Sequence, residues 1–259
     1  MTTETKIGRW GGGGGGRFPA TRWSAIVAAR SEDSGERSRG LEAIVAAYWK
    51  PVYKYVRIRW NKPNEDAKDL TQDFFARLIE KGTLADFDPA KARLRTFLRV
   101  CVDHFVANEA KAAKRMKRGG DAIHLSLDFP AAEAELERTK PALSATASSE
   151  RIDEFLEKEF IRSLFGLSVE ELRQFCESRG KQTQFRLFEI YDLEDNGQKR
   201  AGYAELAKKF GIAVTDVTNY LAFARREFRR IALERLREMT GSEEEFRREA
   251  RALLGVEPK

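Results

Sequence analysis

The sequence has few of the residues that staple small proteins or bind metals: 259 residues hold two cysteines, Cys101 and Cys176, and two histidines. The cysteines form no CxxC pair, which argues against a disulfide scaffold or a zinc module and points to reduced thiols. No stretch approaches the roughly 20 apolar residues of a membrane span, and no apolar core follows the basic residues near the N-terminus as in a secretion signal. A soluble, cytoplasmic protein without membrane contact is expected. No P-loop, nucleophile triad or metal cluster is legible, so no catalytic residue, metal or cofactor is assigned. Asp69 and Asp73 stand at helical i, i+4 spacing, but no histidine or third acid accompanies them. The length allows about two domains of roughly 100–200 residues, each with its own core.

Charge is plentiful but unevenly placed. Charged residues make up 34% of the chain and leave a net +6. Lys91 to Arg118 carries nine bases against Asp103 and Glu109, a local +7. Asp128 to Phe160 carries nine acids against four bases, a local −5. One surface therefore suits phosphates and another avoids or imitates them.

Residues 1–17 end in the glycine run Gly11 to Gly16, whose composition buries too little to offset its ordering entropy and reads as a flexible leader. Leu41, Ile44, Val45, Tyr48, Trp49, Val52, Tyr53 and Val56 then recur at helical spacing, with a kink or break expected at Pro51. A second helix is expected from Pro63, with Glu65 and Asp66 in its first turn and Gly82 as its stop. A third spans Leu94 to Met116. Residues 119–151, with Gly119, Gly120, Pro130, Pro141 and the stretch Ser144 to Ser149, read as an acidic linker. Helical periodicity resumes at Ile152, and no alternating strand pattern appears in either half. The fold class is all-α: two helical domains, 18–118 and 152–240, joined by a flexible acidic linker. The tail, 241–259, contains a short amphipathic helix of unassigned partner.

From Gly202 to Phe228 the chain reads GYAELAKKFGIAVTDVTNYLAFARREF. A helix-turn-helix needs a small residue where its helices cross, a glycine at the turn and an apolar anchor on the second helix; Ala207, Gly211 and Val217 fit these places. The second helix would enter the major groove, with Thr215, Thr218, Asn219 and Arg226 outward. Arg225, Arg226, Arg229 and Arg230 are expected mainly on phosphates.

The run Asp69-Leu-Thr-Gln-Asp-Phe-Phe, with Pro63, Asp66 and Ala67 before it, YWKPVYKYV upstream and Arg95-Thr-Phe-Leu downstream, resembles the second conserved region of bacterial sigma factors. The helix-turn-helix resembles the fourth, in the order typical of the extracytoplasmic-function (ECF) group of the sigma-70 family. The opening FPATRW, Phe18 to Trp23, is similar to a subset with an N-terminal extension. This resemblance implies a sigma factor that binds core RNA polymerase and promoter DNA, with the chemistry left to the polymerase. Asp69, Gln72, Asp73 and Phe74 would dock on the clamp helices of the largest subunit. Recognition and melting of the downstream element carry over to Phe97, Arg99, His104 and Asn108, with Lys111, Lys114 and Arg115. Exposed bases would stack on aromatic rings while cations hold the backbone, and Phe87 is the ring expected to be freer than Phe97 or Phe105. In such a factor the linker would thread the polymerase channel.

The sequence departs from the group at His104, usually Asn, at Asn108, usually Asp, and at Thr218, Asn219 and Ala222, where basic or longer polar residues are frequent. The promoter sequence is therefore not transferable. Regulation by an anti-sigma factor or a kinase stays open. The alternatives are a stand-alone helix-turn-helix regulator and an all-α scaffold or RNA-binding module.

Overall fold

The computed structural model describes residues 25–112, 125–139, 149–194 and 201–257. Among the described residues every regular element is helical, and the chain divides into two compact units between Glu159 and Phe160. The expected leader, the FPATRW motif, the end of the third helix at Met116 and the Ser144 to Ser148 stretch lie outside the described residues.

The first unit contains α1 (Ala25–Ala28), α2 (Ser34–Arg59), α3 (Asn64–Glu80), a 3-10 turn (Thr83–Asp86), α4 (Leu94–Ala112) and α5 (Phe129–Thr139). Asp33 caps α2 by accepting from the Glu36 amide at 2.7 Å. Of the kink or break expected at Pro51, the break does not occur: α2 runs from Ser34 to Arg59 through it. Proline in a helix interior costs about 3 kcal/mol. Burial of Ile44, Tyr48, Val52, Tyr53 and Val56 along the same helix contributes roughly 1.5–3 kcal/mol per large side chain, so packing outweighs the lost bond. Pro63 stands just before α3, Glu65 and Asp66 occupy its first turn, and Gly82 follows it in the left-handed conformation at φ 60°. Phe74 and Phe75 enter the core, with the Phe74 ring 5.0 Å from Phe75 and 5.8 Å from Phe105.

The segment read as a linker carries α5. Asp128 accepts from the Ala131 amide at 3.1 Å, Pro130 sits in the first turn where its missing N–H costs nothing, and Phe129, Ala132 and Leu136 are buried. The Phe129 ring meets Trp49 at 5.5 Å and Tyr53 at 5.2 Å. The proline taken as loop punctuation is thus a helix starter, and three apolar residues suffice for the stripe because α2 supplies the opposite face.

α6 (Ser149–Ser178) continues into the second unit, which holds α7 (Gln182–Phe188), a π turn (Glu189–Leu193), α8 (Tyr203–Phe210), α9 (Val214–Glu238) and α10 (Glu243–Leu254). Leu172, Phe185, Leu187, Leu206, Val217 and Leu221 belong to its main core. The tail helix has a partner after all: α10 buries Phe246 and Ala250 against Leu164 and Leu236, and Ser242 caps it through the Glu245 amide at 3.1 Å. Both cysteines are free.

Gly40 marks the tightest approach in the first unit, since a Cβ there would lie 2.3 Å from the Ala29 amide nitrogen and 2.6 Å from the Ala25 carbonyl. Alanine normally favours a helix interior over glycine. Gly40→Ala is nevertheless expected to destabilise the protein by roughly 1–3 kcal/mol, because α1 must move away. An unchanged or raised denaturation midpoint would contradict that contact.

Candidate nucleic-acid interface

In the second unit the turn between α8 and α9 depends on Gly211, left-handed at φ 65°, where a β-carbon would be strained. Ala207 at 6% exposure and Val217 at 0% seat the two helices together. This leaves Thr215, Thr218, Asn219, Ala222, Arg226 and Arg229 exposed. Their steps of three and four place them on one stripe of α9, the side a helix presents to a groove. Val214, 48% exposed, extends its N-terminal end with an apolar surface.

The arginine cluster is not uniform. Arg225, expected on DNA, donates from Nε and Nη2 to the two carboxylate oxygens of Asp192, both at 2.9 Å, and its guanidinium lies 5.4 Å from the Tyr191 ring centroid. That bidentate pair raises the Arg225 pKa above its ordinary value. It ties α9 to the π turn, with the Arg225 side chain 40% exposed. Arg230 is likewise shared between Glu227 at 3.0 Å and Glu234 at 2.9 Å. Arg226, at 69% side-chain exposure, lies 3.4 Å from the neighbouring Glu227 and 5.5 Å from the Phe223 ring centroid. Lys208 and Lys209, exposed in the last turn of α8, were not singled out from sequence. Two adjacent lysines just before the turn glycine were the available signal.

In the first unit, the α3 residues expected to dock separate by depth. Asp69 is exposed, Gln72 and Asp73 are half-buried, and Phe74 is 4% exposed. Phe74 therefore supports α3 from inside and offers no docking atoms; its place in the apolar stripe beside Phe75 explains why. Burial raises the Asp73 pKa, Glu109 and Asp69 add to the rise, and Arg77 opposes it. Gln72 is engaged at both ends of its amide, donating to the Leu125 carbonyl at 2.8 Å and accepting from the Leu125 amide at 3.0 Å.

On α4, His104 and Asn108 are exposed. Phe97 is half-buried against Phe87 at 5.3 Å, and Phe87, expected to be free, is 3% exposed. Arg30 donates to the Leu84 carbonyl at 2.7 Å and to the Phe87 carbonyl, which draws this loop inward. Arg99 is engaged within the protein: its Nη1 lies 3.3 Å from Asp153 and 3.8 Å from Asp103. Asp103 also accepts from the Tyr55 hydroxyl at 2.9 Å and the Trp60 indole at 3.0 Å. Burial, with Asp103 beside it, pushes the Tyr55 pKa up to about 12. The Lys111 side chain, Lys114 and Arg115 lie outside the described residues.

Among the described residues no group of three His, Cys, Asp or Glu side chains is arranged to hold a metal, and no helix is long and apolar enough to cross a membrane. The division within the arginine cluster has a measurable consequence. Arg225→Ala is expected to lower stability by roughly 0.5–1 kcal/mol, whereas Arg226→Ala should stay within about 0.5 kcal/mol of the parent in urea unfolding. Equal effects would remove the distinction.

Residues 42–234, from α2 through most of α9, match the family model described as ECF sigma factor. Searches of curated proteins and of solved structures return no match. The matched span exceeds half of the chain and takes in both the α3–α4 pair and the helix-turn-helix, and the chain belongs to the ECF sigma factor family.

Proposed function

We propose that this protein is a promoter-specificity subunit that binds core RNA polymerase and directs DNA-templated transcription initiation at chosen promoters. On this reading residues 18–118 form the domain that docks on the clamp helices and handles the downstream promoter element. Residues 119–151 connect it to the helix-turn-helix domain, 152–240, and the protein works in the cytoplasm beside the polymerase. ECF sigma factors bind core RNA polymerase and promoter DNA and are often regulated by anti-sigma factors. The family is one of non-catalytic transcription factors, so the polymerase supplies the chemistry.

The observation that carries the proposal is the exposed α9 stripe from Thr215 to Arg229, mounted on a turn that only the left-handed Gly211 closes comfortably. Thr215, Thr218 and Asn219 face base edges, where Asn pairs with adenine, and Arg226 and Arg229 face phosphates. On α3, Asp69 and the half-buried Asp73 offer carboxylates to a cationic partner, with Gln72 beside them. His104 and Asn108 on α4 are the exposed polar groups for the downstream element.

The deciding experiment is in vitro transcription with purified core polymerase, with start sites mapped. Wild-type protein is expected to confer start-site choice. Asp69→Ala with Asp73→Ala should weaken polymerase binding by roughly 30-fold or more, the effect of losing about 2 kcal/mol or more of charge pairing, with helix content unchanged by circular dichroism. DNA binding without polymerase binding would instead identify a stand-alone regulator. Arg226→Ala and Arg229→Ala should each reduce the salt slope of promoter binding by about 1. An unaltered slope would take them off the DNA.

A further inference from the structure

We propose that two acidic stretches, residues 125–139 and 149–159, act as an internal substitute for DNA and polymerase, masking the working surface of the first unit until a partner displaces them. This inference rests on the promoter-specificity reading for the identity of that surface, although the mask itself is read from contacts.

Three sets of contacts point the same way. At the docking face, both ends of the Gln72 amide are consumed by the Leu125 backbone, and Leu125 is 1% exposed. A clamp helix contacting Gln72 therefore meets this strand of chain first. At the start of the basic helix, the Nε and Nη2 of Arg95 donate to the two oxygens of Glu157, and Arg93 lies 3.6 Å from the same carboxylate. One turn on, Arg99 pairs with Asp153 at 3.3 Å. Carboxylates four residues apart on α6 thus meet arginines four residues apart on α4, much as successive phosphates would.

The third set anchors both stretches. Lys54 on α2 is 1% exposed and donates to Glu135 on α5 at 2.8 Å and to Glu159 on α6 at 2.6 Å. Burial raises the Glu135 pKa, but hydrogen bonds from Lys50 and Lys54 outweigh that and hold it below its ordinary value. The apolar footing is Leu125 ahead of α5, Phe129, Ala132 and Leu136 on it, and Phe155 and Leu156 on α6, all buried. Of the two α4 contacts, Arg99–Asp153 is the more open, at 27% and 46% side-chain exposure, whereas Arg95 is 7% exposed against Glu157 at 38%. Exposed pairs yield to salt or a competing polyanion, so the Arg99–Asp153 contact opens first.

The test compares two full-length variants that lose the same charge on the same helix. Asp153→Asn with Glu157→Gln removes the carboxylates facing α4. Glu150→Gln with Glu154→Gln removes two exposed carboxylates of the same helix. Binding of a short single-stranded oligodeoxynucleotide and of core polymerase is measured, with hydrogen exchange over 129–139. The first variant is expected to bind the oligonucleotide about fivefold more tightly than wild type, as loss of about 1 kcal/mol of competing pairing requires. The second should gain distinctly less. Exchange in α5 should quicken when polymerase binds. Equal gains in the two variants would reduce the effect to net charge and overturn the mask. Should the first variant fail to fold, Asp153→Asn alone carries the same comparison against Glu154→Gln. If no form binds polymerase while the oligonucleotide effect still depends on position, the mask stands and the promoter-specificity reading falls.

Discussion

Lys54 places an ammonium group at 1% exposure in a helix whose neighbouring positions are apolar, where a buried charge calls for carboxylate partners. Glu135 and Glu159 supply them, from two elements far along the chain. Withdrawal of an ion from water costs several kcal/mol, and removing one partner of a buried pair typically costs 3–5 kcal/mol. The arrangement therefore holds α5 and the first turns of α6 in register on α2. Around it, Lys50 reaches Glu135, Arg57 reaches Glu133, and the Tyr53 hydroxyl lies within hydrogen-bond distance of Glu133 and Asn64. Burial and the Glu133 carboxylate push the Tyr53 pKa well above the ordinary phenol value, keeping it a hydrogen-bond donor. The aromatic contacts of Phe129 fill what the polar network leaves.

The second unit solves a different problem. A helix meant for a groove must keep its outward face free while being held firmly from behind. Val217, Leu221 and Ala224 hold α9 from the core side, and the Arg225–Asp192 pair secures its flank. Arg225 is engaged by that pair, and Arg226 and Arg229 keep their exposure. At the far end, α10 packs around Phe246 and Leu236, with the Arg237 guanidinium 4.1 Å from the Phe246 ring centroid.

Much of this was legible in advance where local signals and burial agree. The α2 stripe, the first turn of α3, the start of α4 at Leu94 and the Ala207, Gly211, Val217 triad appear where periodicity and capping put them. Pro51 and Pro130 were misleading because a proline's cost depends on its place: α2 outweighs one with burial, and α5 uses the other in its first turn. Phe74, Arg99 and Arg225 are expected on partners and Phe87 is expected to be freer because charge and aromaticity are properties of residues, whereas availability belongs to the fold. Each is claimed by a group distant in sequence, Phe105, Arg30, Asp153 and Asp192 respectively.

What the sequence determined by itself is the helical character of the chain, the place of its helix-turn-helix and the opposite charges of its basic helix and acidic segment. These follow from spacing of three and four, from glycine at a left-handed turn, and from simple charge counting. Only the tertiary structure decided which charges face each other and which remain open. An ion pair is short-ranged and indifferent to separation along the chain, so Lys54 with Glu159, or Arg95 with Glu157, cannot be found until helices bring them within 3 Å.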